Sequence, residues 1–84
     1  MVELMGAAQA EDGGAILVLE DDASALSEIL EAVRDDGYQA YGVTTIQEMW
    51  SVAAEREIKL FLMDLRVPDG DGLAAAREIR SQSD

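Results

Sequence analysis

Cysteine and histidine are both absent from the 84 residues. The first absence excludes disulfides and zinc–thiolate sites, and the second excludes imidazole acid/base chemistry and imidazole metal ligands. Any metal centre must therefore use oxygen ligands, which favours a hard cation such as magnesium or calcium. Positive charge is scarce: six Lys and Arg stand against eighteen Asp and Glu, for a net charge of -12. Phosphate contacts need a basic patch, so direct binding to nucleic acid or to an anionic membrane surface by this segment is not expected. No run approaches the roughly 20 apolar residues of a transmembrane helix. The first residues also lack the positive start and apolar stretch of a signal peptide. These features together predict a cytoplasmic protein.

What is present suits one small domain. Hydrophobic residues make up 49% of the chain, enough for a compact core despite the charge, although a domain this short buries only roughly 60% of its unfolded surface. Residues 1–14 are rich in Ala, Gly and acid, end in Gly13-Gly14, and read as a flexible leader. Structure is predicted from Ala15. The continuous apolar run Ala15 to Leu19 (AILVL) suits a central parallel strand covered on both faces. Leu26, Ile29, Leu30 and Val33 then form the single stripe of an amphipathic helix, with Asp22 or Ser24 as its N-cap and Gly37 as its stop. Tyr38 to Val43 is a weaker strand suited to a sheet edge.

Thr45 and Glu48 have the spacing of a capping box, and Ile46, Met49, Trp50 and Ala53 mark the buried side of a second helix. Trp50, Met49 and Met63 read as core filling. Glu55, Arg56, Glu57 and Lys59 read as a solvated helix end. Lys59 to Met63 is a third strand that runs into Asp64. A loop with Pro68, Gly70 and Gly72 leads to a third helix, with Asp71 as N-cap and Leu73, Ala76 and Ile79 as its stripe. Alternation of strands and helices implies a parallel sheet with right-handed crossovers and helices on its faces. Ligands in such sheets sit at the carboxyl ends of the strands. Both acidic groups, Glu20-Asp21 and Asp64, fall there.

Carboxylates gathered at one rim repel each other unless a divalent cation lies between them, and magnesium, with its preference for one or two carboxylates beside a phosphate, fits that need. Each acid also has a purely structural role open to it. Glu20-Asp21-Asp22 could serve the following helix as cap and dipole partners, and Asp64 could simply end a strand. Asp22 is assigned only the capping role. Val67 to Gly72 makes a poor calcium loop, because of its proline and because Leu73 stands where a ligand is needed.

The segments ILVLEDD (Ile16 to Asp22) and LFLMDLRVPDGDG (Leu60 to Gly72) resemble the receiver domain of bacterial two-component response regulators. The likeness combines the acidic pair after the first strand, the aspartate ending the third, a proline four residues on and a glycine four beyond that. It implies a flavodoxin-like three-layer α/β/α fold, truncated to β-α-β-α-β-α with strand order 2-1-3, over residues 15–84. By the same resemblance Asp64 is the phosphoacceptor, Asp21 a direct magnesium ligand, and Glu20 a ligand through water. Arg66 contributes its backbone carbonyl. A histidine kinase or phosphotransfer protein is the implied donor, and the chain is a phosphorylated switch, not a turnover enzyme. A haloacid-dehalogenase type of hydrolase would need a second aspartate at position 66.

Receivers have a five-stranded sheet, and this sequence stops after the third helix, without the family's hydroxyl residue after strand four and its lysine after strand five. An alternative reading is therefore a switch-deficient interaction module that binds without phosphorylation. On either reading the strand at 59–63 is expected to be an open apolar edge, prone to self-association.

Overall fold

The protein is described here by a computed structural model, which covers residues 2–6 (backbone), 14–67 and 70–82. Among the described residues, four strands and three helices follow one another: β1 (Val2–Gly6), β2 (Ala15–Leu19), α1 (Ala23–Asp35), β3 (Ala40–Val43), α2 (Ile46–Glu55), β4 (Ile58–Asp64) and α3 (Gly72–Gln82). They form one sheet in the order β1-β4-β2-β3. β2 pairs in parallel with β3 on one side and β4 on the other. The three strands expected from the sequence thus take the expected 2-1-3 arrangement, and the fold is a flavodoxin-like receiver fold reduced to these elements.

β2 owes its central place to its composition. All five of its residues are buried, as a strand covered on both faces requires. Leu17 and Leu19 join Met49 of α2, Met63 of β4, and Ala75, Ala76 and Ile79 of α3 in one core, on which Trp50 packs. Since side chains alternate along a strand, Ile16 and Val18 lie on the opposite face, the side of α1. The α1 stripe of Leu26, Ile29, Leu30 and Val33 is half-buried there, and no α1 residue is fully enclosed. α3 keeps Ala76 and Ile79 of the expected stripe inward but turns the stripe's third member out. Gly72, Ala75, Ala76 and Ile79 are buried, whereas Leu73 is 43% exposed. The small residues let this helix sit close to the sheet, and proximity rather than side-chain size selects the inward face.

The helix ends follow local chemistry. Asp22 Oδ1 accepts from the amides of Ser24 (2.9 Å) and Ala25 (3.3 Å) at the start of α1. Its far end is closed by Gly37 at φ +93, whose amide donates to Arg34 O (2.9 Å) while that of Tyr38 donates to Val33 O (3.3 Å). That bond pair is a Schellman motif, which needs a left-handed residue at the glycine position. Arg34 also donates from its guanidinium to Ala40 O, 2.8 Å away. Lys59 stacks over the Tyr38 ring at 4.7 Å and Arg56 over that of Tyr41 at 5.4 Å, so these two cations, expected to be merely solvated, cover aromatic faces at the sheet's end.

At α2 the capping box is present. The Glu48 amide donates to Thr45 Oγ1 (3.1 Å), and Glu48 Oε1 accepts from the Thr44 amide (3.1 Å) and hydroxyl (3.0 Å). The Thr44 amide, followed by its hydroxyl, holds the Glu48 carboxyl below its ordinary value of 4.5. A depressed acid contributes stability that is present above its unfolded value and is lost as pH falls through the folded one. Glu48→Ala should therefore lower the urea midpoint at pH 7, and the gap to the parent should narrow as pH falls below 4.5. A gap independent of pH would assign the loss to something other than this carboxylate.

Two expectations need correction. Val2–Gly6, read as part of a flexible leader, is a strand, and it pairs antiparallel with β4 from Val2 opposite Asp64 to Gly6 opposite Leu60. The rest of that leader, residues 7–13, lies outside the described residues. The edge at 59–63, expected to be open and to drive self-association, is consequently covered. Both corrections have one physical cause: an apolar strand with a free row of amides gives the short Val-Glu-Leu-Met run a partner, and a strand propensity too weak to be read alone is realised by pairing.

Candidate metal centre

The register of the central strands builds the site. Leu19 of β2 lies beside Met63 of β4, so the next residues, Glu20 and Asp64, emerge level with one another at the carboxyl end of the sheet. Glu20 is fixed by its amide, which donates to Val43 O at 3.0 Å. Its Oε1 accepts from the amide of Asp22 at 3.1 Å. Asp64 is the last residue of β4, and its Oδ1 accepts from the amide of Arg66 at 2.9 Å. Glu20 and Asp64 are half-buried and Asp21 is exposed. One carboxylate oxygen from each of the three lies within 4.8 Å of the others.

Crowding is visible in the Glu20 carboxyl. The Asp22 amide pulls it down, but partial burial, the shared contact with Asp21 and the charge of Asp64 together raise it above 4.5. Like charges brought this close disfavour full ionisation. An all-oxygen set of three acids, partly withdrawn from water and mutually repelling, fits a hard divalent cation and no soft metal.

The loop after Asp64 is held against α3. Asp71 Oδ1 caps that helix through the amides of Leu73 (3.0 Å) and Ala74 (3.2 Å), which commits it to the helix and weakens any calcium-loop reading of this segment. Gly72 meets the Leu65 backbone so closely that a Cβ there would lie 2.6 Å from Leu65 Cα and 2.8 Å from its carbonyl carbon. Pro68 and Asp69 lie outside the described residues.

The family model of the response regulator receiver domain matches residues 16–84. The chain belongs to that family. Among curated relatives, it is 32% identical over 68 residues to the aerobic respiration control protein ArcA of Escherichia coli (strain K12), covering 81% of this chain and 29% of that protein. It is also 32% identical over 68 residues to the KDP operon transcriptional regulatory protein KdpE of the same strain, covering 81% of this chain and 30% of that one. The chain therefore spans less than a third of the length of these relatives. No solved structure matches significantly. Among the described residues, no helix is long and apolar enough to cross a membrane.

Of the residues singled out in the sequence, Glu20, Asp21 and Asp64 converge, and the side chain of Asp22 is confined to its cap. Arg66 is represented at the site by its amide. Two orienting donors escaped the sequence reading, the amides of Asp22 and Arg66. Each lies two residues beyond the acid it holds, and for Asp64 this is the turn that aspartate side chains favour, so an aspartate in a strand-to-loop turn was the available signal there.

Proposed function

We propose that this receiver module takes a phosphoryl group onto Asp64 from a phosphohistidine donor, a histidine kinase or phosphotransfer protein, with magnesium held by Glu20, Asp21, Asp64 and the Arg66 carbonyl. The single observation that carries the proposal is the convergence of three carboxylates from two adjacent strand ends. In the transfer an Asp64 oxygen forms a bond to phosphorus, the phosphorus–nitrogen bond of the donor breaks, and the histidine keeps the electron pair. The Arg66 amide holds the other position of Asp64 and so leaves one oxygen to attack. Bound magnesium would supply charge neutralisation for the oxygens of the incoming phosphoryl group.

Within this reading the chain is a signalling partner and no turnover enzyme, and it acts in a bacterial cytoplasm. The alternative, an interaction module independent of phosphate, relied partly on an open strand edge that β1 now covers.

The test is metal binding read as stability. A raised acid contributes stability in its protonated state, fully present at low pH and lost as pH rises through the folded value. The metal-free protein is thus weakened at neutral pH by ionised Glu20, and magnesium should reverse this. At a concentration about 100 times its Kd, magnesium should add about 2.7 kcal/mol at pH 7, and the gain should vanish as pH falls through and below 4.5. A folded sample whose melting temperature ignores magnesium at pH 7 would remove the basis of the proposal.

A further inference from the structure

The peptide unit between Val43 and Thr44, at the end of β3, is held on both sides. Its carbonyl, Val43 O, accepts from the Glu20 amide at 3.0 Å. Its N–H, on Thr44, donates to Glu48 Oε1 at 3.1 Å. The same oxygen accepts from the hydroxyls of Thr44 (3.0 Å) and Thr45 (3.3 Å). A trans peptide is planar and turns its C=O and N–H in opposite directions, so the carboxylate of α2 and the backbone after β2 grip one rigid unit from opposite sides. Tilting that unit moves the acceptor that sets Glu20. Hydrogen bonds in series also polarise one another, and an ionised acceptor strengthens the first link.

Capping of α2 does not account for this reach. A capping box needs the glutamate to return to the amide of the N-cap residue, here Thr45, and Glu48 extends one residue further back. That extra residue is what joins α2 to the strand end beside Glu20. From the same first turn, Ile46 meets the other arm of the site: a Cβ at Gly70, in the loop after Asp64, would lie 3.3 Å from Ile46 Cδ1. Glu48 itself stands outside the carboxylate cluster of Glu20, Asp21 and Asp64.

We propose that Glu48 is a positioning residue of the metal centre: through the Val43–Thr44 peptide it fixes the backbone of Glu20, and with it the place from which that carboxylate meets the cation. The inference rests on the reading of Glu20 as a magnesium ligand. Glu48 touches neither the ion nor the phosphoryl group and acts only through the shared peptide.

Amide NMR on the full chain separates this role from helix capping, with magnesium chloride as the probe and every variant studied well below its unfolding transition. Glu48 is exposed, so its truncation leaves the core intact. In metal-free Glu48→Ala, exchange of the Glu20 amide should accelerate about tenfold, whereas the Ile16 amide, bonded to Gln39 O at the other end of the same strand pair, should keep its rate. Magnesium affinity should fall about tenfold, the low end of what outer partners of metal ligands contribute. Glu48→Gln retains an acceptor oxygen and should recover most of both losses. Thr45→Ala removes the cap on the Glu48 amide but keeps the Thr44 link, and should leave magnesium affinity near that of the parent. The proposal is overturned if Glu20 exchange in Glu48→Ala matches the parent, if Ile16 accelerates equally, or if Thr45→Ala weakens magnesium binding as much as Glu48→Ala does. A parent that ignores magnesium would instead overturn the metal reading, and the Glu20 amide would then decide alone whether Glu48 holds that backbone.

Discussion

Asp64→Asn is expected to abolish acceptance of phosphoryl from acetyl phosphate or from a phosphorylated histidine donor, with the folded protein otherwise intact. A carboxamide offers no anionic oxygen to attack phosphorus, and a neutral group contributes less to holding a divalent cation. The fold should survive because the contact that positions residue 64, the Arg66 amide to Oδ1 at 2.9 Å, can be made equally well to an amide oxygen. Removing a charge from the crowded rim also relieves Glu20, whose carboxyl is raised in part by Asp64. The metal-free variant should thus be as stable as the parent or slightly more so at pH 7. Intact mass after incubation with acetyl phosphate and magnesium reads the first effect, and urea denaturation the second. A phosphoryl adduct persisting in the variant would move the acceptor to another residue.

The second large effect is expected from a residue that carries no chemistry. Gly72→Ala places a methyl group 2.6 Å from Leu65 Cα and 2.8 Å from its carbonyl carbon, distances at which backbone must move. Leu65 directly follows Asp64, the acceptor proposed above, and Gly72 opens α3, so any shift either lifts the helix off its buried alanines or drags the loop that carries Asp64. Overpacking of this kind costs about 1–3 kcal/mol, which at usual urea sensitivities lowers the midpoint by about 1 M. Magnesium affinity should fall in the same variant, because the distortion is shared between core and site. An unchanged midpoint together with unchanged magnesium affinity would mean that the loop and helix are not pressed together as found here.

Much of this was legible in the residues. The buried run Ala15–Leu19 and the i, i+3, i+4 stripes fixed the parallel layers, since hydrophobic period is a direct consequence of which faces must leave water. The caps at Asp22, Thr45 and Asp71 were readable because each depends on contacts within three residues. The convergence of Glu20 with Asp64 was foreseeable from topology: acids that follow adjacent parallel strands end on one rim. What escaped was non-local. β1 pairs with the side of β4 turned away from β2, a fact about sheet order that a window over Met1–Gly14 does not contain, and Leu73 turns outward because α3 packs through its smallest residues. The orienting amides of Asp22 and Arg66 were hidden for a plainer reason, since every non-proline residue carries such a donor and only the folded turn selects which one is used.

The bond from the Arg34 guanidinium to Ala40 O has a consequence at the opposite border of the molecule. Backbone groups of Gln39 and Val43 serve β2, and alternation along the strand turns those of Ala40 and Gly42 outward. Arg34 therefore occupies the first acceptor that a visiting peptide would need, and places a cation there. Fibril-like stacking from that flank would have to displace an ionic side chain before its first rung could form, so the molecule guards its two borders by unlike devices, a strap of its own backbone on one and a single charge on the other.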